Sequence, residues 1–359
     1  MNRPLTEILA LRAGPQARAA IERDGVKPDM FTAMLGASGG PKWLALAGLD
    51  RYLAGEFFRD RSTPLALLGT SIGCWRHACF AQHDPLAAMD RFLAAYLAQR
   101  YSAKPDVEEL TREAERLLDV LLGERGATDI ATHHVWRTHI LAVRCRGLLA
   151  SDHPPVLLTG LTFAALLNGL SRASLALSFE RAVFAPDDGS DFQLDGLPAF
   201  DIPLTADNVR ETLLATAAVP LVFAPRRDIA GAPAGTYRDG GITDYHFDLA
   251  INAPTGLVLY PHFYDHLVPG WFDKSLRWRR AAGSLAARTL LVSPAPAFVA
   301  SLPARAIPDR RDFARYDDTT RERHWHAAVA ASERLAEAFD AWRSDPEPAR
   351  WLAPLQPRW

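Results

Sequence analysis

The feature that most constrains this chain is a unit repeated early in the sequence: a short, unbroken apolar run, a glycine-rich turn, then a helix-forming stretch. The first runs through residues 30–35 into Gly36-Ala37-Ser38-Gly39-Gly40, with Pro41 placed for the first turn of a helix over 42–53. The second runs through 65–68 into Gly69-Thr70-Ser71-Ile72-Gly73 and a helix over 74–82. Strands that are apolar at every position are buried on both faces. They predict an α/β fold, a three-layer α/β/α sandwich around a mostly parallel central sheet.

Downstream, Asp84 and Asp106 stand where N-caps belong, before helices striped with Leu86, Met89, Leu93 and Leu97 and with Leu110, Ala114, Leu117 and Leu121. Residues 139–144 and 175–184 read as strands, 207–218 as a helix, and 257–260 and 289–292 as further buried strands. Residues 319–342 carry Trp325, Val329, Leu335, Phe339 and Trp342 at helical spacing. The proline-rich tail 346–359 cannot be a regular helix, and Trp351 and Trp359 mark it as docked. The expected organisation is an N-terminal extension 1–29, an α/β domain 30–318, and a C-terminal helical appendage, 319–359, packed on that domain.

With 40 basic against 42 acidic residues, there is no cationic field to hold a nucleic acid. The first 25 residues lack the continuous apolar core of a secretory signal, which predicts a cytoplasmic protein. No apolar run approaches the roughly 20 residues needed to cross a bilayer as a helix. Cys74, Cys79 and Cys145 form no Cys-x-x-Cys pair, so the sequence predicts neither a disulfide framework nor a zinc ribbon. His133-His134, His139 and His324-x-His326 lack the spaced carboxylates or cysteines that complete a ligand set, and no metal or cofactor is expected.

Three stretches carry chemistry. Gly69-Thr70-Ser71-Ile72-Gly73 is a Gly-x-Ser-x-Gly element between a strand and a helix, the setting in which a sharp turn lifts a serine to its apex. Gly36 to Gly40 brings backbone amides to a helix start, where they favour a developing oxyanion. A phosphate-binding loop is the competing reading. It fails because Pro41 stands where the glycine before Lys42 belongs, and Trp43 replaces the hydroxyl that would ligate magnesium. The third is Asp239-Gly240-Gly241, a tight turn that can hold a carboxylate rigidly, preceded by Ala215-Thr216-Ala217-Ala218-Val219-Pro220-Leu221-Val222-Phe223.

This ordered set resembles the patatin-like phospholipases over residues 30 to about 244. The resemblance implies a Ser-Asp dyad without histidine, with Ser71 as nucleophile, Asp239 as base, and Gly39 and Gly40 as oxyanion donors. Ser38, Lys42, Ile72, Trp75 and Gly240 are further candidates for lining the pocket or shaping its loops. Two positions differ from the family pattern: Ala37-Ser38 interrupts a run of three glycines, and Trp75 stands where a small residue is usual. The expected partner is a lipid or other ester substrate, with peripheral membrane contact and with oligomeric state left open.

Two other readings compete. One is a Ser-His-Asp triad using His246, His262, His266, His324 or His326. The other is a noncatalytic lipid- or interface-binding protein whose Trp271-Phe272, Trp278 and Arg277, Arg279 and Arg280 form an amphipathic surface. Acyl transfer to an alcohol other than water would use the same serine and aspartate.

Overall fold

The computed structural model describes residues 5–276, 278–279, 281 and 283–355. Arg277, Arg280 and Trp359, singled out above, lie outside them. Twelve strands are assigned among the described residues: β1 (Leu9–Ala13), β2 (Phe31–Gly36), β3 (Leu65–Thr70), β4 (Trp136–Cys145), β5 (Phe179–Ala185), β6 (Gln193–Leu194), β7 (Ala199–Pro203), β8 (Thr236–Asp239), β9 (Ile251–Asn252), β10 (Leu257–Pro261), β11 (Thr289–Pro294) and β12 (Ala353–Pro354). Ten of them form one sheet, ordered β12-β1-β11-β10-β2-β3-β4-β5-β7, with β8 also pairing with β4. The five central strands, β11, β10, β2, β3 and β4, are mutually parallel. Antiparallel contacts confine the reversed strands to the flanks. The chain is therefore an α/β protein with a mostly parallel sheet. β3, β10 and β11 are buried at every position, so both faces of the sheet's centre are covered.

The caps read from sequence form as expected: Asp84 accepts the Ala87 N–H at 2.9 Å and Asp106 the Glu109 N–H at 2.7 Å. Other expectations shift. The stretch 42–53 begins as a 3₁₀ segment, Gly40–Leu46, before an α-helix over Ala47–Tyr52. Only the later part of 175–184 is strand, because Arg172–Leu177 coils as a 3₁₀ turn. The segment 1–29, expected to precede the domain, enters the sheet: β1 pairs with β11 on one side and with β12 from the tail on the other. The long helix Asp318–Arg343 packs against Gly40–Leu46 and Ala47–Tyr52, behind the glycine loop.

One relationship in the sheet positions everything that follows. The lower half of β4 pairs with β3, ending at Thr70 opposite Leu141. The next position, Ala142, pairs with Asp239, the last residue of antiparallel β8. β3 and β8 thus meet head-on along one edge of β4, and the residues that follow their C-terminal ends turn off at neighbouring rungs about 3.3 Å apart.

Candidate functional site

Ser71 is the apex of the first turn. β3 ends at Thr70, the helix Ile72–Phe80 begins at once, and Ser71 between them has φ 52° and ψ −129°. A side chain held in this region costs on the order of 1–3 kcal/mol and persists only where its surroundings enforce it. Enforcement comes from close contact beneath. A Cβ on Gly73 would lie 2.1 Å from the Gly36 carbonyl oxygen, so only glycine lets the elbow seat against the end of β2.

Asp239 arrives from β8 and is buried beside it. The Ser71 hydroxyl lies near enough to this carboxylate to favour its ionised form, and the Gly241 N–H donates to Oδ1 at 2.7 Å. A Cβ on Gly240 would lie 2.1 Å from the Leu141 carbonyl oxygen, which fixes the second glycine-dependent turn against β4. Burial raises the Asp239 carboxyl to about 6, against the opposing pull of the Ser71 hydroxyl, the Gly241 N–H and the charges of Lys274 and Arg310. At neutral pH it is ionised, yet a far better proton acceptor than an exposed aspartate.

The run before Asp239 holds the two turns together. Thr216, on the helix Val209–Ala217, accepts the Ser71 N–H at 2.9 Å through Oγ1 and donates to the Leu141 carbonyl at 2.5 Å. The Thr216 carbonyl accepts the Gly240 N–H at 3.3 Å, and the Ala218 carbonyl accepts the Asp239 N–H at 3.1 Å. One segment therefore sets the nucleophilic turn and the carboxylate turn in mutual register. This gives Thr216-Ala217-Ala218 a physical reason to accompany Asp-Gly-Gly.

The glycine loop lies on the third side. Ser38 N–H donates to the Tyr245 carbonyl at 2.9 Å. Its hydroxyl pairs with Thr70 Oγ1 at 2.8 Å, and Thr70 in turn donates to the Asp244 carbonyl. Ser38 is thus spent on anchoring the loop. Among the described residues, the amides of Gly39, Gly40 and Ile72 donate to no protein acceptor, and all three residues line the same cavity as Ser71. Gly40, at φ 56°, holds a conformation that glycine adopts freely. Lys42 is buried and ion-paired with Asp309. Burial would raise Asp309, but Lys42 and the Arg311 N–H hold it well below the usual carboxylate range.

Ser71 and Asp239 sit in a cavity of about 1230 Å³. Ile72, Trp75, Leu110, Leu117, Val222 and Phe223 give it an apolar wall, and Lys42, Lys274, Arg310, Asp309, Asp317 and Asp318 a polar wall of mixed charge. Trp75 is fixed by donating Nε1–H to the Leu213 carbonyl at 2.8 Å, so its indole is a permanent boundary. Lys274 places Nζ 3.7 Å from the Tyr245 ring centroid. Its pKa moves downward through burial of the ammonium and the neighbouring Arg310 and Lys42, though the residue's exposure lets water moderate the effect.

None of the histidines named above bonds to Ser71 or Asp239 in the described structure. His246 lines the cavity, but its Nδ1 accepts the Val268 N–H at 3.0 Å. A neutral ring so held carries its proton on Nε2 and has no lone pair left for a serine proton. Burial and the adjacent His262 keep it neutral, well below the usual histidine pKa. His262 is also buried, His266 contacts Asp265, His324 packs edge-on to Tyr316 and His326 is exposed. No group of three or more histidine, cysteine, aspartate or glutamate side chains placed to hold a metal occurs among the described residues. Cys74 lies under the elbow, and burial pushes its thiol up to about 12, leaving it protonated.

A carboxylate beside a strained serine can accept the hydroxyl proton as the oxygen attacks a carbonyl, and the free amides at the cavity wall can hold the resulting oxyanion. Sequence reasoning missed four contributors. Thr216 was in plain view in the Ala-Thr-Ala-Ala run, but its role needs the long-range partner Leu141. Lys274, Asp309 and Arg310 come from loops whose local sequence carries no signal of where they fold. Neither a family model nor a curated protein matches the chain.

Proposed function

We propose that this chain is a serine acyl hydrolase of the patatin-like phospholipase kind, a three-layer α/β/α enzyme acting in the cytoplasm on carboxylic esters of lipids. The observation that carries this reading is the elbow serine, Ser71 at φ 52°, sharing a large, mostly apolar cavity with the buried Asp239 carboxylate, whose ionised form it favours. The mechanism has two halves. Asp239 takes the Ser71 proton as Oγ attacks the ester carbonyl, and the tetrahedral oxyanion rests on the amides of Gly39 and Gly40, joined by Ile72. The C–O bond to the alcohol then breaks, the alcohol leaves with the proton from Asp239, and Ser71 remains acylated. Water, deprotonated by the same carboxylate, attacks the acyl carbonyl, and collapse releases the acid and restores the serine. The apolar wall suits an acyl chain, and the mixed-charge wall a polar head group.

Labelling with a fluorophosphonate and turnover of a panel of esters varying in chain length and head group test this. The parent chain is expected to label and turn over, Ser71→Ala to do neither, and Asp239→Asn to lose at least about a thousandfold in kcat. Absence of any Ser71 adduct or serine-dependent turnover would move the chain to the class of binding proteins. Loss of activity on replacing His246 as complete as on replacing Ser71 would replace the dyad with a triad.

A further inference from the structure

The helix Pro154–Leu170 contains no charged residue, yet only one side of it is buried. Its other side presents Leu158, Phe163, Leu166 and Leu170 to solvent, the last three with 57%, 68% and 86% of their surface exposed. The turns Gly147–Ala150 and Arg172–Leu177 pack against this helix and add exposed Leu148 and Leu177 to the same region. The outer face of a surface helix is ordinarily charged, and an aliphatic patch of this extent marks a surface that something covers.

The chemistry at the patch's edge says what kind of partner covers it. Trp278 is 67% exposed, and its neighbour Arg279 donates to the Asn168 carbonyl at 2.5 Å, tying this loop to the C-terminal end of the helix. In sequence the indole stands in Arg277-Trp278-Arg279-Arg280. Aliphatic insertion groups and an exposed indole within a basic stretch of sequence are the composition of a surface that meets an anionic bilayer. The 17-residue helix is shorter than the roughly 20 residues a span requires, and it is suited to lying in the interfacial plane. The turn Trp271–Ser275, just before Trp278, also supplies Trp271 and Lys274 to the cavity wall, so patch and cavity adjoin.

We propose that this face, built on Leu158, Phe163, Leu166, Leu170 and Trp278, docks the protein on an anionic lipid surface. The assignment stands on geometry outside the Ser71 site and does not depend on its chemistry. Docking sets the cavity beside the lipid layer.

Co-sedimentation of the full chain carrying Ser71→Ala, so that no lipid is consumed, tests it. Vesicles of phosphatidylcholine alone are compared with vesicles of phosphatidylcholine and phosphatidylglycerol. The anionic vesicles should bring the protein down, and raising the salt should weaken binding. Phe163→Glu with Leu166→Glu should lower the partition coefficient by about tenfold or more, and Trp278→Ala by a few-fold, with melting temperatures unchanged. Trp278→Ala keeps the test valid should the double variant lose stability. The proposal is overturned by any of four results: no sedimentation with anionic vesicles, equal binding to both compositions, variants that bind like the parent, or a dimer in light scattering that the double variant splits. The last would assign the face to a second copy of the chain.

Discussion

Thr216 Oγ1 accepts the backbone N–H of Ser71 at 2.9 Å, and the same oxygen donates its own hydrogen to the Leu141 carbonyl. A single hydroxyl therefore fixes the strained turn against β4. Thr216→Val keeps the shape and removes both bonds, leaving a buried donor and acceptor unpaired at a cost of about 1–3 kcal/mol each. The expected outcome is a fall in kcat/KM of about ten- to a hundredfold on a soluble nitrophenyl ester, with Thr216→Ser close to the parent. Full activity in Thr216→Val would show that the turn holds without the clamp.

The proton acceptor sets the acid limb of the pH profile. With Asp239 at about 6, kcat/KM should rise with pH through that value and level off above it, because only the ionised carboxylate can take the serine proton. Lys274 pulls Asp239 downward, so Lys274→Met should move the limb to higher pH. A profile flat between pH 5 and 8 in the parent would rule Asp239 out as the base.

The same group makes stability depend on pH. Below about pH 3.8 the Asp239 carboxyl is protonated in folded and unfolded chains alike, and its burial carries no charge. As pH rises from there to about 6 the unfolded chain releases the proton while the folded one keeps it, so stability falls; above that the deficit stays constant. The rise from 3.8 to about 6 corresponds to about 3 kcal/mol. Asp239→Asn should therefore unfold at a higher urea concentration than the parent at pH 8, an advantage that vanishes near pH 4.

How much of this was legible in the sequence follows from the range of the interactions. The elbow was readable because its strand, its glycines and its helix are contiguous, and the caps Asp84 and Asp106 act within three residues. Asp239 was readable as a rigid turn, but not as the end of a strand, since the ladder that makes β8 a strand is with distant β4, its nearer partner being the single bridge from Tyr237 to Arg226. β1 escaped because Leu9-Ala10-Leu11-Arg12-Ala13 is short and takes its strand form from partners at the opposite end of the chain. The helix Pro154–Leu170 escaped for a different reason: with apolar residues on all sides it has no stripe for periodicity to detect.

Close approach at the elbow predicts a sharp steric effect. Gly73→Ala would drive a methyl group to 2.1 Å from the Gly36 oxygen, in backbone that is packed on every side. The expected loss is about 3 kcal/mol or more in chemical denaturation, accompanied by loss of fluorophosphonate labelling. A parent-like variant would mean that β2 and the elbow can part without cost.

Trp75 predicts a change of selectivity. Trp75→Leu opens the apolar wall and frees the Leu213 carbonyl, so the preferred acyl chain should lengthen or branch while stability falls by about 1–3 kcal/mol. The ratio of kcat/KM between long and short acyl esters measures it, and an unchanged ratio would remove the indole from the acyl-binding surface.

The head-on meeting of β3 and β8 on β4 also bears on when the protein becomes competent during synthesis. A ribosome that has delivered the chain through β4 has already made the elbow, the glycine loop and the strand they rest on, but the carboxylate that completes the pair is still unmade. Pairing across such sequence distance is slow to form. The nascent chain thus carries an unactivated serine, and reactivity is delayed until β8 closes the gap beside Ala142.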